Sequence, residues 1–183
     1  MGHEQTIEAV DPREDARLLE AFAAGEREAF AELASRHERD LLGLARGLLG
    51  GSDALACEAV QDAWVRVIRG AGGFRGDACV RTWLYRIVVN ACHDIRRRED
   101  RVARKTAAMM SDEREIGRVE GLAIAMDRLG DRQREVLVLC FGRGLSHSEA
   151  AGVLRIPVGT VKSRLHAAMR ALRSTLEGSG GGS

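Results

Sequence analysis

Phe30, Leu33, His37, Leu41, Leu44 and Leu48 recur at steps of three and four residues, and Gly50-Gly51 ends the series. Steps of that size place every member on one face of an α-helix and scatter them over both faces of a strand. A stripe this long must be buried against other helices. Neighbouring segments carry the same period with different stops. Asp11-Pro12-Arg13-Glu14 reads as a helix start, with an Asp cap, Pro in the first turn and Glu three residues after the cap. Leu18, Leu19 and Phe22 form the apolar side of this helix, and Gly25 ends it. Leu55, Ala59, Ala63, Val67 and Ile68 predict a third helix over 53–69. Leu84, Ile87, Val88, Ala91 and Ile95 predict a fourth, which decays into "RRREDRVARK". With only 2 prolines in 183 residues to break helices, the chain is expected to be all-α.

Two segments cannot continue the pattern. "GAGGFRGDA", residues 70–78, holds too many glycines for regular helix. Residues 99–118 are charged and weakly periodic, which predicts a linker and the site of first proteolytic cutting. The expected organisation is therefore a helical bundle over 11–98, a linker over 99–118 and a second small bundle over 119–177. The tail 178–183, "GSGGGS", reads as flexible. In the second bundle Ile116, Val119, Leu122, Met126 and Leu129 predict a helix closed by Gly130. Asp131 is then expected to cap "RQREVLVLC", and Ser146-His147-Ser148-Glu149 reads as a capping box. Gly43, Gly47 and Gly121 lie inside predicted helices, each at a cost of up to ~1 kcal/mol relative to Ala.

The formal net charge is only +1, but it is unevenly spread. Residues 1–62 carry 6 Arg against 14 Asp and Glu, 81–105 carry 8 Arg and Lys against 3 acids, and 119–177 carry 9 against 6. One acidic face and two basic zones predict a polar or basic partner and a polyanionic one. Cys57, Cys79, Cys92 and Cys140 form no CxxC pair and sit among apolar residues, so buried thiols are expected rather than metal ligands or redox centres. His37, His93, His147 and His166 have no metal-ligand spacing. No metal and no cofactor are expected. No apolar run reaches bilayer length and "MGHEQTIEAVDPRED" lacks a signal-peptide core, so no membrane insertion and a cytoplasmic location are expected.

The stretch "IPVGTVKSRL", residues 156–165, bends at Pro157 and Gly159 and then starts a helix. Two short helices joined by a tight turn, the second longer and basic, is the helix-turn-helix arrangement. Val161, Leu165, Ala168, Met169 and Leu172 fall on one arc of the second helix. Thr160, Lys162, Ser163, His166, Arg170 and Arg173 cover the other, with the first of these near the end that meets base edges and phosphates. A solvated charged face is the alternative. In the first bundle Trp83 and Tyr85 lie among Arg81, Arg86, Arg96, Arg97 and Arg98, and Phe74-Arg75 lies in the glycine-rich loop. Aromatics interleaved with arginines suit single-stranded nucleic acid, where bases stack and phosphates pair. Trp64 is expected in the core, and Trp83 either packs or stacks.

These residues carry a family resemblance. "AFAELASRHERDLLGLARGLL", "DALACEAVQDAWVRVIR", "FRGDACVRTWLYRIVVNACHDIRRRED" and "LGDRQREVLVLCFGRGLSHSEAAGVLRIPVGTVKSRLHAAMRALRSTL" resemble, in order, successive conserved regions of bacterial sigma factors of the extracytoplasmic-function group. The match covers about 13–177. It implies two helical domains, one like sigma region 2 and one like the region 4 helix-turn-helix. It implies docking on the clamp and flap of core RNA polymerase, with Asp53, Glu58, Gln61 and Asp62 on the clamp side. Phe74, Arg75, Arg81, Trp83, Tyr85, Arg86 and Asn90 would capture unpaired −10 bases of the non-template strand, with Arg96, Arg97 and Arg98 on phosphates. Ser148, Gly159, Thr160, Lys162, Ser163, Arg164, His166 and Arg170 would read the duplex −35 element. The linker would thread toward the active-site channel, and an anti-sigma factor is an implied partner. Ala150 stands where the family usually has a branched aliphatic residue and Ala167 where an arginine is common. The rival readings are a helix-turn-helix regulator that works without polymerase, and a sigma mimic that sequesters a regulator. An enzyme is disfavoured, because no nucleophile triad, carboxylate pair or phosphate loop stands out.

Overall fold

The computed structural model describes residues 12–74, 76, 78–107, 126 and 129–179. Among them the chain is helical, with no strand: α1 (Pro12–Ala23), α2 (Arg27–Leu48), α3 (Asp53–Gly70), α4 (Val80–Ala107), α5 (Asp131–Leu137), α6 (His147–Leu154) and α7 (Val158–Ser179). A single 3-10 turn, Ala71–Gly73, follows α3, and a π-turn, Val138–Gly142, continues α5.

The α2 stripe is the axis of the first bundle. Leu33, His37, Leu41, Leu44 and Leu48 are all buried, and Phe30 packs from the edge. Gly50 and Gly51 take positive φ, which stops α2 and turns the chain into α3. Ser52 caps α3 by accepting from the Leu55 amide at 3.3 Å. The rings of Phe22, Phe30 and Trp64 join α1, α2 and α3, with centroids 5.0 and 5.6 Å apart. Beneath them His37 Nε2 and Asp15 Oδ2 lie 2.7 Å apart, both buried, and pin α1 to α2.

Four local expectations need correction. Ile68 is 50 % exposed and does not point inward. Its place in the core is taken by Val60, because α3 buries the arc of Ala56, Val60, Ala63 and Val67. Met169 likewise faces out of α7 while Val161, Ala168 and Leu172 face in. Gly130 rather than Asp131 occupies the cap of α5, where its N–H donates to the Gln133 side chain. Of the four thiols, Cys57 and Cys79 are exposed, Cys140 is partly covered and only Cys92 is fully buried. Burial pushes the Cys92 thiol up to about 12.

Helix α4 runs to Ala107, well into 99–118, and the remainder of that segment lies outside the described residues, as does Gly121. The second bundle does not stand apart. Val136, Val138, Leu139, Leu145, Ala150 and Val161 belong to the same buried cluster as Leu41, Leu44, Leu84 and Val88 of the first. A small separate cluster, with Leu129, Leu137, Ala168 and Leu172, ties α5 to α7.

Candidate nucleic-acid interface

The turn between α6 and α7 is held from both ends. Ser146 accepts from the Glu149 amide at 3.2 Å and donates its own N–H to Glu149 Oε2 at 2.8 Å, so the expected capping box is present. At the far end of α6, Arg155 adopts a left-handed conformation with φ 53. Pro157 then starts the next helix, accepting from Thr160 N at 2.9 Å and from Val161 N at 3.2 Å. Val161 is fully buried, which fixes the rotation of α7 about its axis. That rotation leaves Gly159, Lys162, Ser163, His166 and Arg170 exposed and Thr160 half-buried, and Ser148 in the first turn of α6 is exposed as well. Ser163 Oγ donates to the Thr160 carbonyl at 3.0 Å. Arg164 lies along the side of α7 beside Gly130, Asp131 and Gln133, in an open cleft. Its Nη1 is buried and has no hydrogen-bond partner among the described residues.

The basic zone of α4 is arranged differently. Phe74, at the end of the glycine-rich loop, meets Trp83 edge-on with centroids 5.4 Å apart, and both rings are half-buried. Arg75 lies outside the described residues. Asn90, Arg97 and Arg98 are exposed, whereas Arg81, Arg86 and Arg96 are half-buried. Tyr85 is 1 % exposed, in the core beside α2, so its ring has no free face in this arrangement. Burial raises the pKa of its phenol. Arg86 donates from Nη2 to the Gly152 carbonyl of α6 at 2.8 Å, and desolvation, then Arg155, lowers its pKa. Arg81 pairs with Glu149 at 3.3 Å, and Arg96 pairs with Asp131 and donates to the Leu48 carbonyl at the end of α2.

The acids of the front half are largely paired within the chain. Asp53 meets Arg46, Glu58 meets Arg98, and Asp62 meets Arg66, which also holds Asp94 at 2.7 Å. The Arg98 guanidinium holds the Glu58 carboxyl below its usual value. Gln61 is exposed. With Cys57, Val65 and Ile68 it forms an outward stripe on α3 at helical spacing, with Val65 42 % and Ile68 50 % exposed. Val65 was not singled out from the sequence. Its signal was there: an apolar residue four positions after Gln61, off the arc that the buried alanines define. Among the described residues no cluster of His, Cys, Asp and Glu could hold a metal, and no helix is long and apolar enough to cross a membrane.

The chain matches two family models, Sigma-70 region 2 over residues 33–102 and Sigma-70 region 4 over 125–174. It is 42 % identical over 158 residues to the ECF RNA polymerase sigma factor SigM of Mycobacterium tuberculosis, covering 83 % of this chain and 79 % of that one. It is 30 % identical to the RNA polymerase sigma-H factor of Pseudomonas aeruginosa, over 90 % of this chain and 94 % of that one. A solved structure of CnrH in complex with the cytosolic domain of CnrY matches at TM-score 0.71 and 31 % identity, over 90 % of this chain and 98 % of that one. The fold also matches the sigma factor RpoE of Bartonella quintana, solved with the anti-sigma factor NepR, at TM-score 0.68 and 22 % identity, over 81 % of this chain and 96 % of that one. Two region models in the expected order, on a chain whose relatives match over most of their length, decide the matter: this protein belongs to the ECF sigma factors of bacterial RNA polymerase.

Proposed function

We propose that the chain is an alternative sigma factor in which three surfaces divide the work. The outward stripe of α3, with Asp53, Glu58, Gln61 and Asp62 beside Val65 and Ile68, docks on the clamp of core RNA polymerase. The second bundle contacts the flap. The loop and the exposed side of α4, with Phe74, Arg75, Arg81, Trp83, Arg86 and Asn90, capture unpaired −10 bases of the non-template strand, and Tyr85 supports them from the core instead of meeting a base. Arg96, Arg97 and Arg98 steady phosphates. The start of α7, with Gly159, Thr160, Lys162, Ser163, Arg164, His166 and Arg170, and Ser148 of α6, reads the −35 element as duplex. The functional units are residues 11–98 and 119–177, connected through 99–118. The protein acts in the cytoplasm as a binding subunit, not as a catalyst, and an anti-sigma factor is its regulator, as in the solved complex of RpoE with NepR.

One observation carries this reading above a stand-alone helix-turn-helix regulator. The α3 stripe is apolar and exposed, a surface suited to a protein partner, in a chain that also presents exposed basic and polar residues on α4 and α7, which is the requirement for holding a protein and DNA at once. A regulator that needs only DNA has no use for it. Run-off transcription with purified core polymerase tests the division. Wild-type chain should direct initiation from a promoter selected with it out of a random pool. Val65→Lys with Gln61→Glu should abolish competition for core polymerase while leaving binding to −35 duplex unchanged. Full competition by that double variant would remove α3 from the polymerase interface.

A further inference from the structure

An acid stands in the middle of the surface assigned to DNA. Asn90, Asp94, Arg97 and Arg101 follow one another along α4 at steps of four, three and four, so they share one face of the helix. Asn90, Arg97 and Arg101 are exposed, and the Asp94 side chain is 43 % exposed. A carboxylate in that place repels a phosphate unless something offsets it. Two arginines do. Arg66 Nη2 of α3 donates to Asp94 Oδ2 at 2.7 Å, and Arg97 Nη2, one turn further along α4, donates to Asp94 Oδ1. Arg66 is steadied in turn by Asp62 at 2.5 Å. Arg66 first, against desolvation, and then Arg97 hold the Asp94 carboxyl below the usual aspartate value.

The three arginines assigned to phosphates are not equally free. Arg96 is 18 % exposed and is taken up by Asp131 and the Leu48 carbonyl, while Arg98 faces Glu58 with both terminal nitrogens. Arg97 is 71 % exposed, and its bond to Asp94 uses one nitrogen of a fork that carries five N–H donors. Exposed ion pairs add little to stability. What this one sets is geometry, because it keeps a long side chain from sampling its many rotamers. Immobilising an arginine that nothing holds beforehand can weaken binding by up to about thirtyfold.

We propose that Asp94 is a positioning residue for promoter capture: anchored to α3 by Arg66, it holds the Arg97 guanidinium in place on α4 so that the remaining donors meet a backbone phosphate of the non-template strand. This rests on the reading of α4 as the −10 surface.

The sign of one substitution decides. Charge alone predicts that Asp94→Ala, which removes an acid beside the DNA, tightens binding, whereas positioning predicts that it weakens binding. The affinity to measure is that of the full chain with saturating core polymerase for a labelled non-template oligonucleotide carrying a selected −10 sequence, by fluorescence anisotropy over a range of salt. Asp94→Ala should bind about three- to tenfold more weakly. Its slope of log affinity against log salt should shrink by about 0.7, the share of one single-strand phosphate contact. The loss should be equal on a scrambled sequence, because a phosphate carries no base identity. Arg97→Ala should lose at least as much, and the double variant no more than Arg97→Ala alone. Asp94→Glu, whose carboxylate still reaches Arg97, should recover most of the affinity. Ala suits a helix, so Asp94→Ala should fold, which its urea midpoint checks. A lowered midpoint with an unchanged salt slope would mean that Asp94 only fastens α3 to α4. That result, unchanged or tighter binding by Asp94→Ala, additive losses in the double variant, or a loss confined to the −10 sequence overturns the proposal. An effect of Arg97→Ala without one of Asp94→Ala leaves the reading of α4 standing, whereas no effect of Arg97→Ala removes the phosphate contact itself and the proposal with it.

Discussion

At the scale of single residues, Glu149 serves two masters. It completes the cap of α6 with Ser146 and pairs with Arg81 of α4. The Ser146 hydroxyl, then the Ser146 amide, then Arg81 hold its carboxyl below the usual glutamate value. A carboxylate whose folded pKa is depressed binds fewer protons in the folded state than in the unfolded one. Its stabilisation is therefore complete above the ordinary glutamate value of about 4.3 and is lost as pH falls through the lower folded value. Glu149→Gln should thus be less stable than wild type at pH 7. The gap between their urea midpoints should close as pH is lowered toward 3, and a gap independent of pH would show that the charge contributes nothing. Asp94, held down first by Arg66, adds to the same acid sensitivity in both proteins and so cancels in the comparison.

At the scale of elements, the α6–α7 turn depends on one strained residue. Arg155 holds a positive φ that a Cβ disfavours by roughly 1–2 kcal/mol, while Gly loses roughly 0.5–1 kcal/mol more chain entropy on folding. Arg155→Gly should accordingly stabilise the chain by up to about 1 kcal/mol, read as a raised midpoint in chemical denaturation. A destabilised variant would mean that the Arg155 side chain does more for the turn than its backbone costs. This turn sets where Lys162 and Ser163 emerge, so the same variant should keep its preference among −35 sequences. The α5 segment shows the complementary case. Its π-turn leaves Phe141 65 % exposed while Val138 and Leu139 stay buried, because the extra residue in the turn rotates the chain after Leu137.

At the scale of the whole molecule, one buried cluster spans both bundles, with Val136, Leu139 and Val161 packed among side chains of α2 and α4. Two small bundles that share a core lose their separate stabilities. The free chain should therefore unfold in a single transition in which α2 and α7 report the same midpoint. Two transitions, resolved by amide exchange in α2 and in α7, would show that the bundles fold independently and that the shared core is weak.

Periodicity and stop signals determined most of the elements without any knowledge of the fold. The α2 stripe, the Gly50-Gly51 stop, the Ser146–Glu149 box and the bend before α7 are local: each depends on residues within a few positions, and each is where the spacing puts it. The helix-turn-helix and its exposed Lys162 and Ser163 follow from the same short-range rules, so that half of the candidate site was legible. What the sequence could not decide is which apolar or charged face meets which neighbour. Tyr85 and Arg86 read as DNA-facing because they lie in a basic segment, and only tertiary packing puts one in the core and the other against Gly152. Ile68 has the composition of a core residue and the position of a surface one. Gly43 and Gly47 look like defects in a helix until Arg143 and Val138 arrive from about a hundred residues away. A helix's period is written in its own residues, but the partner that covers each face is chosen by long-range packing, and no spacing along one segment records it.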